Sequence, residues 1–310
     1  MLFHIFIFFL LIIWLIWSRK QSLLPPGPPT LPLVGSLPFL SMKKGFLSFL
    51  LMEKIIKHKL ATVRLGMRNV FVINDFELGK ELFSKEEFLG RGVAPVFKEH
   101  KGFYKKPFGI IMTHGSQWER ERRFGLRMLK SLGLGKQSLE VAIHKEAEEI
   151  INTFLENKGD FFLQSDFNAP IINILWQIVV SERFTSVKKD KMMDSVNRKF
   201  QLAFQMLAYP FPIMKLFPKI THYDEMVSIL DHQKAYIWKH IEEHEQTLDE
   251  ENPRDFVDLY LLEMKTSNGF CKEDLTLSMM DFLDAGTETS STTLKWIVLY
   301  LTVYQEIQDK

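Results

Sequence analysis

The 310-residue chain has a single cysteine, Cys271. That excludes an intrachain disulfide and a cysteine-rich metal site, and it suits a reducing compartment. Charge of one sign is not in excess either: 39 Lys and Arg against 38 Asp and Glu leave +1. Nucleic-acid binders carry a basic surplus, so no nucleic-acid partner is expected. The sequence lacks an Asn-x-Ser/Thr sequon and any internal repeat. With 46% apolar and 25% charged residues it is not a disordered or low-complexity chain. Phenylalanine (27) and methionine (14) are plentiful. They suit a malleable apolar interior, either simply filled or shaped to hold a ligand.

Residues 2–17 read LFHIFIFFLLIIWLIW, interrupted only by His4. At 1.5 Å per residue this run is near the short limit for spanning a bilayer. Trp14 and Trp17 stand where interfacial aromatics belong, and Arg19, Lys20, Lys43 and Lys44 follow. Basic charge on that flank places the rest of the chain in the cytoplasm. A cleaved signal peptide would want basic residues before the run and a small-residue cleavage site after it, and neither is there. The sequence therefore divides into a transmembrane signal anchor (1–20), a proline-rich hinge (21–30) and a globular part (31–310). The hinge run Pro25-Pro26-Gly27-Pro28-Pro29 fits no helix or central strand. It reads as a stiff spacer or a generic linker.

In the globular part, 61–65 and 70–73 are short β-rich runs with Gly66-Met67-Arg68-Asn69 between them, a hairpin signal. Helical periodicity begins after Asp75, a plausible N-cap. Residues 86–115 read as a Gly/Pro-interrupted loop. Helices are then expected over 116–131, 138–157, 167–181, 190–208, 222–246, 254–266 and 273–304. The fold class is mainly α with a small β-sheet. Tyr209 to Pro218 is an apolar connector with three prolines. It is either buried or a surface that meets membrane or ligand.

Two stretches carry chemistry. The last helix contains Ala285-Gly286-Thr287-Glu288-Thr289-Ser290. A mid-helix Gly costs about 1 kcal/mol relative to Ala. No capping box is present to start a new helix, so one continuous helix with a weak point fits better than two. Small residues open a groove there, and Glu288 and Thr289 set a carboxyl and a hydroxyl beside it, a pair able to relay protons. The second stretch is Gln117 to Arg123. At 100° per residue, Trp118, Arg122, Gly125, Leu126, Met128, Leu129 and Leu132 share one arc, with Arg122 in its middle. A buried guanidinium there needs an anion, internal or bound. Arg120, Arg123, Arg127 and Lys130 form an exposed basic stripe on the other side.

In this order, the apolar anchor, proline hinge, front hairpin, Phe88-Leu89-Gly90-Arg91-Gly92, Trp118 to Arg122, and the Ala-Gly-x-Glu-Thr helix resemble the microsomal cytochromes P-450. These are the haem-thiolate monooxygenases, and the likeness is greatest to their second family. Chance supplies the last motif in about three per thousand chains of this length. The resemblance covers the whole chain and implies the cytochrome P-450 fold. It implies haem b, with Arg91, Trp118 and Arg122 on its propionates and Ala285 and Gly286 lining an oxygen pocket. It places Met112, Asp281 and Ala285 against substrate, Glu288 and Thr289 as the oxygen-activating acid–alcohol pair, and Arg120, Arg123, Arg127 and Lys130 against a redox partner. The implied activity is oxidation of apolar small molecules such as fatty acids, xenobiotics or steroids with O2. Electrons come from an NADPH-dependent cytochrome P-450 reductase and cytochrome b5, at the endoplasmic reticulum membrane.

The chain also departs from that pattern. The family's Phe-x-x-Gly-x-x-x-Cys loop, which supplies the axial thiolate, is absent, and so is its Glu-x-x-Arg core pair in context. Cys271 precedes the acid–alcohol helix and does not fit the ligand's place. Gln305 stands where relatives commonly have Pro. The expectation is an N-terminal part of such an enzyme, with no metal ligand of its own and inactive as given. The alternative is a haem-free, membrane-anchored protein acting only through binding partners.

Overall fold

The computed structural model describes residues 23–32, 34–40, 57–66, 68–91, 109–133, 137–156, 167–184, 186–206 and 211–308. The expected anchor over 2–17 lies outside them. Among the described residues no helix is long and apolar enough to cross a membrane. The chain folds as two compact units, residues 1–89 with 205–216, and residues 90–204 with 217–310.

The first unit is built on an antiparallel hairpin. Strand β1 (Leu60–Leu65) pairs with β2 (Arg68–Ile73), in register from Leu60 opposite Ile73 to Leu65 opposite Arg68. Gly66 takes the left-handed conformation (φ 59°) that the tight reversal requires. The proline run is not a free-standing spacer. Pro26 accepts a hydrogen bond from the Thr62 N–H at 2.8 Å, and Ser36 N–H donates to the Arg64 carbonyl at 2.6 Å. A Cβ on Gly27 would lie 1.8 Å from the Thr62 carbonyl oxygen, so only glycine allows this approach. The segment covers the outer edge of β1, whose Ala61, Thr62 and Val63 are buried. Helix α1 (Phe76–Phe83) starts where Asp75 caps it, its carboxylate accepting from Leu78 N–H.

The second unit is helical: α2 (Gly115–Ser131), α3 (Gln137–Glu156), α4 (Asn168–Val180), α5 (Ser186–Met206), α7 (Tyr223–Thr247), α8 (Phe256–Thr266), α9 (Lys272–Val303) and the short α10 (Gln305–Gln308). Between α5 and α7, the first unit's α6 (Phe211–Leu216) forms inside the connector that the sequence reads as irregular. A proline at its second position is tolerated, because that N–H lacks an intrahelical partner anyway. A 3-10 turn at Glu86–Phe88 likewise interrupts the expected loop.

Helix α4 is apolar nearly all round, as befits a helix enclosed by others. Ile172, Trp176, Val179 and Val180 are buried on it. Trp176 packs against Phe184, Tyr236 and His240. Helix α9 lies closest to α4 and α7.

Candidate functional site

Helix α9 runs unbroken from Lys272 to Val303, through Gly286. Its buried residues around that point are Met280, Leu283, Thr287 and Ser291. These fall within roughly 80° at 100° per residue. Diametrically opposite, Ala285, Thr289, Trp296, Tyr300 and Val303 fall within roughly 60°, and all five are exposed. The turn at Gly286 thus has one face sunk into the unit and one open.

Gly286 itself lies on the flank toward α4. A Cβ there would stand 2.6 Å from Leu175 Cδ1, so any side chain forces Leu175 to move. Glycine lets the two helices close up, and the helix accepts the propensity cost of about 1 kcal/mol. Thr289 Oγ1 donates to the Ala285 carbonyl at 2.7 Å, the back-bond of a mid-helix threonine. Glu288 is half-buried and accepts from Thr292 Oγ1 at 3.3 Å.

Asp281 does not present a free carboxylate. Its Oδ2 accepts from the backbone N–H groups of Ile110 (2.6 Å) and Ile111 (2.9 Å). Burial pushes its carboxyl up to about 6, against those two amide bonds, which pull it down. Asp281, expected to face substrate, anchors the segment that carries half-buried Met112.

Helix α2 is rotated from the expected setting. Its buried residues are Glu121, Phe124 and Gly125. Arg122, expected in the middle of the inward arc, is exposed, and Trp118 is half-buried. The physical reason is Phe124, which meets Phe256, Tyr260 and Phe270 edge-on or tilted at 5.1–5.8 Å and draws its own side of the helix inward. The Arg122 guanidinium lies over the Trp118 ring at 5.6 Å. Among the described residues it makes no hydrogen bond or ion pair. Arg122, Trp118 and Leu126 line an open concavity of about 310 Å³. Arg91 is exposed on the segment before it.

Arg120 is the second correction. Expected in the exposed stripe, it is half-buried. Its Nη2 donates to the Gly269 carbonyl at 2.7 Å and the guanidinium lies over Phe270 at 5.3 Å. Arg123, Arg127 and Lys130 remain exposed and share an arc of roughly 60°.

Cys271 precedes the first turn of α9 and donates to Asp274 Oδ2 at 3.3 Å. Burial pushes its thiol up to about 12, the opposite of a metal-binding thiolate. Gln117 Nε2 holds the other Asp274 oxygen at 2.8 Å.

Sequence reasoning passed over the most elaborate buried polar group. Lys199 on α5 donates to Asp284 Oδ2 on α9 and to Gln233 Oε1 on α7 at 2.9 Å. Gln233 Nε2 donates to Ser195 Oγ at 3.0 Å. The signal was legible: Met192, Ser195, Val196, Lys199 and Leu202 recur at helical spacing, which puts a lysine on a buried arc.

Against this geometry the comparisons are specific. The chain is 31% identical to cytochrome P450 2C7 of Rattus norvegicus over 97% of its length and 63% of the relative's. The figures are 31%, 97% and 63% for cytochrome P450 2C29 of Mus musculus. They are 33%, 94% and 60% for cytochrome P450 2J3 of Rattus norvegicus. The chain thus spans about three-fifths of the length of the curated relatives it matches. The sequence model of one family, Cytochrome P450, matches residues 25–310, which include the hairpin, α2 and the whole of α9, and the chain belongs to that family.

Proposed function

We propose that this chain supplies the oxygen-side part of a haem-dependent monooxygenase acting on apolar small molecules. The observation that carries the reading is the open stripe of α9. Ala285 and Thr289 stand side by side on it, opposite the buried face, in a chain of the cytochrome P450 family. When bound, haem supplies an iron at which O2 is activated with electrons from an NADPH-dependent reductase.

The donor set fits the propionate edge of that group. Arg122 is a cation with no anion beside it among the described residues, held over the Trp118 ring, and Arg91 is exposed. They and the Trp118 indole N–H hold carboxylates. Cys271 does not fit the iron: burial pushes its thiol far above the range of a thiolate ligand, and it donates to Asp274. The 310-residue chain therefore provides no thiolate ligand.

The remaining roles belong to the chain's own side chains. Ala285 and Gly286 leave room beside the helix. Met112 and the main chain that Asp281 anchors form an adjoining wall. Thr289 Oγ1 holds a proton parked on the Ala285 carbonyl, and rotation about χ1 turns it into the open stripe. Glu288 exchanges a proton through Thr292. Exposed Arg123, Arg127 and Lys130 meet an acidic redox partner, the reductase or cytochrome b5. Residues 2–17 anchor the protein in the endoplasmic reticulum membrane. In the first unit, the exposed apolar side chains of Ile213 and Leu216 touch lipid.

Titration of the chain with ferric haem tests this. Saturable quenching of tryptophan fluorescence is expected, weakened about tenfold or more by Arg122→Leu, an ion pair's worth of affinity. The reduced carbon monoxide complex should lack a thiolate-type band. Absence of saturable binding, or indifference to Arg122→Leu, overturns the haem placement. A thiolate band that Cys271→Ala removes overturns the statement about Cys271.

A further inference from the structure

We infer that Lys199 is a positioning residue for the Ala285–Thr289 turn: through Asp284 it forms the second of two clamps that set the rotation of α9 at its weakest point. The inference deepens the proposed function, because that turn carries the acid–alcohol pair. Its test requires neither haem nor turnover.

The geometry of α9 is the argument. Asp284 and Gly286 lie on opposite flanks of the buried face, roughly 160° apart at 100° per residue. On the Gly286 flank, Leu175 of α4 presses against the bare backbone. On the Asp284 flank, the ammonium of Lys199 holds the carboxylate. Helix α9 packs most closely on α4 and α7, and α5 reaches it through this long side chain. The exposed pair Ala285 and Thr289 lies between the two flanks on the open side, so a rotation of α9 at Gly286 moves both.

The knot is costly enough to demand a reason. Lys199 keeps only 8% of its side chain accessible and Asp284 keeps 14%. Asp284 Oδ1 is buried without a hydrogen-bond partner. A well-packed apolar pair at the same place would be neutral or more stable. What an ion pair adds is direction, because the carboxylate has one cation to face. Gln233 and Ser195 in turn fix the ammonium, leaving it a single strong partner on α9. Asp281, one turn earlier, is bonded to the 110–111 main chain and feels the same ammonium.

Amide hydrogen exchange on the full chain, read peptide by peptide, tests the clamp. Lys199→Met and Asp284→Leu should each accelerate exchange over residues 284–291 about tenfold or more. Protection of α4 and α7 should stay within about twofold. The double variant Lys199→Met/Asp284→Leu buries no unpaired charge and should recover the parent's denaturant midpoint, while exchange over residues 284–291 stays about tenfold faster because the apolar pair lacks the direction of the ion pair. Carboxyl titration followed by carbon NMR should move the Asp281 midpoint upward from about 6 in Lys199→Met and restore it in Lys199→Arg, since Lys199 holds it down. Should a single variant fail to fold, a folded double variant supports the coupling and an unfolded one refutes it. Unchanged exchange, acceleration spread equally over α4 and α7, or additive effects of the two substitutions would each overturn the inference. Because haem titration is a separate readout, failure of the haem reading would leave the clamp's outcome legible.

Discussion

Glu121 shows how one buried side chain sets a pH response. Its Oε2 accepts the Tyr260 hydroxyl at 2.9 Å, while Oε1 is buried without a hydrogen bond and Arg120 Nε lies 3.7 Å away. Burial, then the neighbouring Asp274 charge, pushes its carboxyl up to about 7, against the Tyr260 bond. A carboxyl raised in the folded state contributes stability that is fully present below its unfolded value near 4.5. That stability is lost as pH rises through about 7. The span corresponds to roughly 3 kcal/mol across that window. Glu121→Gln stays neutral throughout. Thermal unfolding of this variant should match the parent at pH 4.5 and exceed it at pH 8. A constant difference at both would show that the charge is not the cause. Tyr260→Phe should act the other way and destabilise, by leaving both carboxylate oxygens without a donor.

Among the elements, the corner between α7 and α8 is held by a clasp rather than by apolar packing alone. His244 Nδ1 lies 2.7 Å from the His240 carbonyl and Nε2 lies 2.9 Å from Asp255 Oδ2. Both partners only accept, so both ring nitrogens donate and the ring is an imidazolium. Burial alone would lower its pKa, but the Asp255 bond and charge raise it above the ordinary 6.5. Its contribution is therefore fully present below 6.5 and lost as pH rises through the folded value. Asp255 also caps α8, accepting from Asp258 N–H, and Arg254 binds both oxygens of Asp258. His244, Asp255 and Asp258 are the cluster among the described residues closest to a metal-binding arrangement. Their lone pairs and protons are already committed, His244 to Asp255 and the His240 carbonyl and Asp258 to Arg254, which makes the cluster a structural joint. Asp255→Ala removes a cap and strands a buried cation, and should cost about 3–5 kcal/mol. Asp75→Ala, at the more open cap of α1, should cost clearly less, because no buried cation is stranded there. Denaturant midpoints of the two variants check the contrast, and equal losses would contradict it.

For the whole molecule, the outer stripe of α9 is an apolar surface that no described residue covers. Trp296, Ile297, Tyr300 and Val303 are each about half or more exposed. Contiguous apolar surface of that kind associates unless something covers it. The 310-residue chain in solution is expected to bind an apolar dye and to sediment as associated species. The pair Trp296→Glu and Tyr300→Lys should reduce both without changing helix content. Monomeric behaviour of the parent at the same concentration would show that the stripe is not a sticky surface.

The sequence alone determined where the elements lie and which motif bears the chemistry. The hairpin, the helices α2 to α5 and α7 to α9, the uninterrupted course of α9 and the Ala285–Thr289 motif were legible; the short α6 was not. Each depends on local periodicity, turn residues and caps, which act over a few neighbours. The tertiary structure decided which way each helix faces. Phe124 turned α2 so that Arg122 stands outward, and Arg120 left the basic stripe for Gly269 and Phe270. Asp281 spent its carboxylate on main chain 170 residues away. The bond between Lys199 and Asp284 joins residues 85 positions apart. Periodicity marks a face as apolar or polar, but the partner on that face comes from distant chain brought near only by folding. For the Ala285–Thr289 turn, that distant chain is Leu175 on one flank and Lys199 on the other.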